Sequence, residues 1–419
     1  MLQNRKFTIL MRNSFLVVAL FALVVGELSC TPGQSDPAKE ERRTIKIGYF
    51  GDLSGPTFNF GQSSRNGAIM AADEINQAGG INRRRIDLVI EDDQGSPELA
   101  ATIAAKLINQ DKVVALIAGG ASGNSLAAAP KAQMSSIPMI SPSATNTAVT
   151  QVGSFIFRAC FTDPFQAKVM ARFAARTLGA QKAAVLLDFN SPYSRDLREY
   201  FEASFIQLGG EIVSEQSYNQ GDRDFRGQLN AIQVAQPDVI YIPGYYGDVA
   251  GIAKQARALG ITQPLLGGDG WDAPELWELG GDSLNGSYIT NHYSIEDPAP
   301  AIEKFVREYR NRYGNLTPDA HAALAYDAMR VLVDAIQRAG TDTGPALRDA
   351  LARTENFAGV TGLIDINEER NAVKPAVILL LRDGQYIYQE TIQPEDLPEA
   401  TPEPSPSPPK PRPRRRSRR

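Results

Sequence analysis

"VVALIAGGASGNS", residues 113–125, decides the reading of this 419-residue chain. An apolar run ends in Gly119-Gly120 and passes into small hydroxyl and amide residues. That pattern is a strand feeding a glycine-rich loop and then a helix. The first N–H groups of such a helix lack partners, and its dipole is positive there, so the loop suits an anion. It carries no lysine and lacks the spacing of a Walker phosphate loop. An anion of another kind, gripped from a second side, is the expectation.

Outward from this stretch, strands and helices alternate. "TIKIGYF" (44–50) and "RIDLVIED" (85–92) read as strands. Ala68, Ala71, Ala72 and Ile75 recur at helical spacing between them, and Leu99, Ala100, Ile103, Ala104, Leu107 and Ile108 line a second helix. A third helix is expected over 126–134, and "IPMISPSAT" (137–145) is a fourth strand with its loop. The alternation then restarts. "AAVLLDF" (183–189), "EIVSEQSY" (211–218), "DVIYIPG" (238–244) and "QPLLGGDG" (263–270) read as strands. Helices fall at 194–210, through Phe225, Leu229 and Ile232, and at 248–259. Strands apolar on both faces and separated by helices imply parallel sheets covered on both sides. Past Asn291 two more helices are expected, the second capped by Thr317 with Pro318 in its first turn. "AVILLLRDGQYIYQE" (376–390) reads as a hairpin turning at Asp383-Gly384.

Both ends read as appendages. Arg5, Lys6 and Arg12 precede the 13-residue apolar run "SFLVVALFALVVG", and "ELSC" follows it. This is a secretory signal over residues 1–30, too short to span a bilayer comfortably. Cys30 marks a lipoprotein-type lipidation site, although Glu27 and Leu28 depart from the usual box. An ordinary signal cleaved nearby and an uncleaved anchor are the alternatives. Residues 31–43 are a polar linker. Residues 393–419 are proline-rich and end in arginines, so they cannot bury apolar area and should be a disordered tail. Residues 410–419 carry seven basic and no acidic residues, whereas residues 31–409 carry 33 basic and 47 acidic, a net −14. An acidic body thus bears a basic tail that could meet anionic lipid, a wall polymer or the body itself, or simply stay solvated. Nucleic acid is not expected for an exported chain.

The length favours two lobes. Two cysteines, Cys30 and Cys160, provide no disulfide framework, and two histidines, His292 and His321, argue against a histidine-rich metal site. Cys160 is expected to be a reduced, buried small hydrophobe. Neither histidine sits in a motif that would pair it with Ser122 for acyl chemistry. The dinucleotide fingerprint is missing after the first strand, where "GYFGDLSG" stands. No enzyme, cofactor or metal is expected.

In open α/β sheets, ligands sit at the carboxyl ends of the strands. The loops that follow the strands therefore carry the candidate site: "GDLSGPTFNFG" (51–61) with Phe60, the opening stretch with Ser122, "SPSAT" with Ser143 and Thr145, "DFNSPYS" with Tyr193, and "PGYYG" with "GGDG", bearing Tyr245 and Asp269. Helix N-termini and hydroxyls suit a carboxylate; Asp269 suits an ammonium, and burying it without a partner would be costly. Taken singly, each loop could be no more than a βα turn or a cap. Together they describe a grip on an α-amino acid.

In this order along residues 44–389, "IGYFGDLSGPTFNFG", "AADEINQAGGI", "EDDQGSP", "GGASGNS…SPSAT", "NSPYS", "PGYYGD" and "GGDG" resemble the periplasmic leucine/isoleucine/valine-binding proteins, the type I solute-binding components of ABC importers. The resemblance implies two doubly wound parallel-sheet α/β lobes joined by a three-strand hinge. Lobe 1 would be 44–160 and 293–365, lobe 2 would be 161–292 and 366–392, with crossings near 159–163, 291–295 and 366–371. It implies that Ser122 and Thr145 hold the ligand carboxylate, and that the Ser143 carbonyl and Asp269 take the ammonium. Tyr193 and Tyr245 would close over the ligand, and Phe60 would line the side-chain pocket. The small disulfide of some relatives cannot form, since Gly95 and Ala121 occupy those places. His321 stands where many relatives carry an aromatic residue; it either tunes side-chain choice or caps a helix. Asp269 is shorter than the glutamate of some relatives, so the ammonium must come closer or a water must intervene.

The resemblance implies a monomeric extracytoplasmic protein that delivers a branched-chain or other neutral amino acid to an ABC permease. A ligand-sensing receptor domain of the same fold, or a binding protein for an amide, urea or aromatic acid, is the alternative reading.

Overall fold

The computed structural model describes residues 44–397. The signal segment with Cys30, the linker and the end of the tail lie outside the described residues. The described residues all belong to one compact unit.

Within it, five short strands make the first sheet: β1 Thr44–Gly51, β2 Arg85–Asp92, β3 Ala115–Ala118, β4 Met139–Ser141 and β5 Ile156–Arg158. Their order is β2-β1-β3-β4-β5, all parallel. The second sheet repeats the winding with β6 Lys182–Asp188, β7 Glu211–Tyr218, β8 Val239–Tyr241, β9 Leu265–Gly267 and β10 Ser287–Asn291. A three-stranded ribbon follows, of β11 Phe357–Gly359, β12 Gly362–Ile366 and β13 Ala372–Val373. The final hairpin, β14 Ala376–Arg382 and β15 Gln385–Ile392, adds to the β10 edge and is antiparallel, so the second sheet is mixed at that margin. Asp383 and Gly384 make its turn with φ of 52° and 78°, as the Asp-Gly pair requires.

Apolar faces on both sides of each sheet are covered. Ile45, Ile47 and Tyr49 of β1 pack against the helices Phe58–Gln77 and Ala320–Ala339, while Phe50 and Leu116 pack against Pro97–Asn109 and Ser122–Met134. The second sheet is likewise sandwiched, by Arg226–Ala235 and Tyr246–Ala258 on one face and Asp163–Arg172 and Pro192–Gln207 on the other. The two lobes thus have separate cores. The chain leaves the first core at Ala159 and is in the second at Phe161; it returns between Ile289 and Tyr293. The last crossing lies between Ala372 and Ala376, a few residues beyond the stretch expected for it.

The alternation read from the sequence overlooks β5, β10 and the helix Asp163–Arg172. Past Asn291 the described residues hold three α-helices, Pro300–Arg312, Ala320–Ala339 and Gly344–Ala352, rather than two. The second of these is capped by Asp319, whose carboxylate accepts the Ala322 N–H at 2.9 Å. Thr317 and Pro318 fall outside it. The Thr317 hydroxyl instead accepts from Arg310, and the Pro318 carbonyl accepts the Tyr293 hydroxyl at 2.6 Å. Asp319 caps because it stands at the residue before the first turn, where its carboxyl oxygen reaches the Ala322 N–H; Thr317 lies two residues too early. Among the described residues, no helix is long and apolar enough to cross a membrane.

Candidate functional site

Phe60, Ser122, Ser143, Tyr193, Tyr245 and Asp269 all follow strand ends, and all six line one small cavity between the lobes, together with His321. Its side chains lie close together, leaving a volume of only about 10 Å³ in this closed form. A wider groove of about 500 Å³ lies on the hinge side, between Trp277, Tyr293, Arg310 and Tyr386, but none of the predicted residues lines it. Size alone would favour the groove; the convergence of six independently chosen side chains favours the cavity.

Several of these residues sit on helices rather than in loops. Ser122 opens the helix Ser122–Met134, so the helix begins four residues earlier than its apolar periodicity indicates. Small polar residues start it, and periodicity is blind to them. Tyr193 lies in the first turn of Pro192–Gln207, whose N-cap Ser191 accepts the Ser194 N–H at 3.3 Å. Phe60 lies in the first turn of Phe58–Gln77. The loop before it is shaped by the buried Asp52 carboxylate, which accepts the Thr57 N–H at 2.7 Å and the Thr57 hydroxyl at 2.9 Å. Asp269 begins the short turn after β9.

On the first lobe the cavity wall is a helix N-terminus. Gly120 and Ala121 lead into Ser122, and the Ser122 oxygen accepts the Asn146 N–H at 3.4 Å, leaving its own proton to donate. The loop bearing Ser143 and Thr145 is held from below by Arg158, a fully buried guanidinium. It donates to the carbonyls of Ala144 at 2.8 Å and Asn146 at 2.7 Å. Thr145 itself does not line the cavity. Its carbonyl accepts the Asp163 N–H at 3.0 Å, and its hydroxyl stands beside the Asp163 carboxyl.

The second lobe supplies a single well-held carboxylate. Asp269 Oδ1 accepts from the Tyr193 hydroxyl at 2.8 Å and from Gln166 Nε2 at 3.1 Å, and Oδ2 lies 3.1 Å from His292 Nε2. The Tyr193 oxygen in turn accepts the Gly270 N–H at 3.0 Å. Burial would raise the Asp269 carboxyl, but the His292 hydrogen bond and the nearby imidazoles outweigh it and hold the group below the ordinary carboxylate range. Gln166 Nε2 also donates to Asp163 at 3.0 Å, where burial pushes the carboxyl well up. The two acids behave oppositely, so the centre presents one negative charge, on Asp269. The sequence reading missed Gln166, Asp163, Arg158 and His292. Two carried a signal: Asp163 and His292 both sit on predicted crossings, and His292 is also one of only two histidines.

Aromatic rings close the cavity. Tyr193 and Tyr245 stack at 5.0 Å, and Phe60 meets Tyr245 edge-on at 5.8 Å and Tyr246 at 5.1 Å. The second face of Phe60 stacks on His321 at 4.0 Å. Phe60 belongs to a first-lobe helix yet packs in a second-lobe core, so the cleft is closed. Further bonds cross it, from Asn146 to the Pro192 carbonyl at 3.1 Å and from Thr147 to Asp196 at 3.1 Å.

A helix N-terminus with a free hydroxyl faces one buried carboxylate across a closed, aromatic-walled cavity, an arrangement able to hold a zwitterion and shield it from water. Against known proteins, residues 44–385 match the family model described as Periplasmic binding protein. The leucine-binding protein LivK of Thermotoga maritima MSB8 superposes with a TM-score of 0.81 at 38% identity, covering 84% of this chain and 100% of that one. LivJ of Streptococcus pneumoniae, a branched-chain amino acid transporter substrate-binding protein solved with isoleucine, gives 0.80 at 32% identity, covering 84% and 100%. The Leu/Ile/Val-binding protein homolog 3 of Brucella melitensis biotype 1 is 28% identical over 82% of this chain and 93% of its own length.

Proposed function

The chain belongs to the periplasmic binding protein family, and we propose that it binds a free neutral amino acid, branched-chain or other, in its interlobe cavity and delivers it to an ABC permease. It is an extracytoplasmic solute-binding protein and not an enzyme, as its relatives are. The observation that carries the proposal is the isolated charge of Asp269, held by Tyr193, Gln166 and His292, opposite the N-terminus of Ser122–Met134. One fixed anion and one helix dipole match one ammonium and one carboxylate.

In this reading Ser122 and the amides around it hold the carboxylate. The Ser143 carbonyl and Asp269 hold the ammonium, Tyr193 and Tyr245 cover the ligand, and Phe60 bounds its side chain. Thr145 contributes through the shape of its loop. Lobe 1 comprises 44–160 and 293 to about 372, beyond the 365 that the resemblance implies, lobe 2 comprises 161–292 and the final hairpin from Ala376, and closure is a hinge motion about the three crossings. Cys30 anchors the protein to the membrane through lipid.

Calorimetric titration of ligand-stripped full-length protein with amino acids and their des-amino analogues tests the proposal. Binding of an amino acid that is lost for its des-amino analogue supports it. Equal binding of both, or of neither, sinks it.

A further inference from the structure

We propose that His321 reads the ligand's side chain, and that the ligand is an amino acid bearing a neutral hydroxyl or carboxamide group. This rests on the amino-acid reading of the cavity and narrows it.

His321 is the second residue of Ala320–Ala339 and is 4% exposed. It lines the same cavity as Ser122 and Asp269, and its ring lies flat on Phe60 at 4.0 Å and 28°. It caps nothing, since Asp319 holds that position. Neither of its ring nitrogens has a hydrogen-bond partner among the described residues.

Buried polar atoms without partners are rare in folded proteins, because each has lost its water and gained nothing. Phe60 fixes the ring plane, so the imidazole cannot turn away. A leucine or isoleucine side chain in the cavity would seal both nitrogens against hydrocarbon. A hydroxyl or carboxamide would pair with the nitrogen that faces it in either tautomer, since each of these groups both donates and accepts. His292 differs in part: its Nδ1 also lacks a partner among the described residues, but its Nε2 is committed to Asp269, its ring stacks on Phe161 at 3.7 Å, and it does not line the cavity.

Two observations narrow the class. Burial pushes His321 down to about 4, so the ring is neutral at ordinary pH and gives no counter-charge to an acidic side chain. Asp269, the cavity's carboxylate, is needed by the α-ammonium, which leaves none for a basic one.

The test uses isosteric pairs. Full-length protein is unfolded, freed of ligand, refolded and titrated with threonine and valine, and with asparagine and leucine; aspartate and glutamate complete the panel. Threonine or asparagine should bind at least about tenfold more tightly than its apolar isostere, because a site built to pair a polar group rejects the analogue lacking it. His321→Phe should erase that ratio while apolar binding holds or improves. His321→Gln, which restores a donor and an acceptor, should retain part of it. Thermal melts of both variants establish that they fold.

Valine or leucine binding as tightly as its polar isostere, with that affinity lost in Asp269→Asn, overturns the His321 proposal and leaves the amino-acid reading standing. An unchanged ratio in His321→Phe, or tightest binding of an acidic amino acid, overturns it as well. No amino acid binding at all overturns both.

Discussion

His292 Nε2 lies 3.1 Å from Asp269 Oδ2, with both side chains buried. The pair ties a strand crossing between the lobes to the one charge the cavity presents. Its chemistry depends on the imidazole being neutral. Desolvation pushes His292 down to about 4, against the raising pull of Asp269, and His321 is pushed to about 4 by the same cause.

The sign of the pH dependence follows from linkage. Both histidines bind protons less readily folded than unfolded, so their contribution to stability is fully present above the unfolded value of about 6.5. It drains away as pH falls toward the folded value of about 4. Each should remove roughly 3 kcal/mol over that window. Ligand affinity should fall in the same range, because a protonated His292 cancels the Asp269 charge. Denaturant titrations at pH 7.5, 5.5 and 4.5 should show the decline, and replacing both histidines by glutamine should flatten it. An undiminished slope in the double variant would assign the loss to other groups.

Asp269→Asn keeps the shape of the centre and removes its charge. Truncating one side of a buried charged contact costs about 2–5 kcal/mol in binding. Affinity for the amino acid should drop by about thirtyfold or more, while the melting temperature of the free protein changes little or rises. Calorimetry beside thermal melts separates the two effects. Unaltered affinity would place the ammonium elsewhere.

How far the sequence goes is visible in this region. The long alternations were legible because they rest on local period: "RIDLVIED" pairs along its whole length as β2, and "EIVSEQSY" pairs as β7 save for an irregularity at Val213. Length alone does not decide legibility: β4, β8 and β9 have three residues each and are read from the apolar runs and glycines or prolines beside them, whereas β5 and the five-residue β10 are not. The helix Asp163–Arg172 announced itself only through Pro164 in its first turn. The residues that contact ligand in our reading follow strands and were found from that rule. Those supporting them were not: Gln166, Asp163 and Arg158 act through bonds to residues up to 103 positions away, and apart from Asp163's place on a predicted crossing nothing in their own neighbourhoods marks them.

Arg158 shows the weight of such support. Two buried carbonyls, of Ala144 and Asn146, depend on its guanidinium. Arg158→Met would leave both unpaired, at about 1–3 kcal/mol each, though it also removes a buried charge. The net expectation is a loss of about 2 kcal/mol in unfolding free energy, with a larger proportional loss of ligand affinity because the Ser143 loop is released. Lysine should not rescue it, lacking the planar fork that reaches both carbonyls. Denaturation and titration of the two variants measure this; an Arg158→Lys protein with full affinity would refute the argument from the fork.

Gly67 makes the corresponding point for helix packing. A β-carbon there would lie 2.0 Å from the Ala322 carbonyl, so Phe58–Gln77 and Ala320–Ala339 touch backbone to backbone. Ala322 is next to His321, and Phe60 is two turns before Gly67. Gly67→Ala must therefore push apart the two helices that set the Phe60–His321 stack. Overpacking of this kind costs about 1–3 kcal/mol, more than alanine's better helix propensity returns. The melting temperature should fall by several degrees and ligand discrimination should loosen. A variant as stable and as selective as the parent would mean the helices part without consequence.

The bonds that close the cleft can be weakened without touching the cavity. Asp196 Oδ2 accepts both the N–H and the hydroxyl of Thr147, at 3.2 and 3.1 Å, across the lobes. Neither residue lines the cavity. Contacts made only in the closed form raise apparent affinity by raising the closed population, since a ligand shifts an equilibrium only by its preference for one state. Asp196→Ala should thus weaken ligand binding by about three- to tenfold, equivalent to roughly 0.7–1.4 kcal/mol, with no change in which amino acid is preferred. Ligand should still compact the variant in small-angle scattering, but at higher concentration. A shift in preference would mean that Asp196 shapes the cavity itself, and unchanged affinity would mean that the Thr147 contact survives opening.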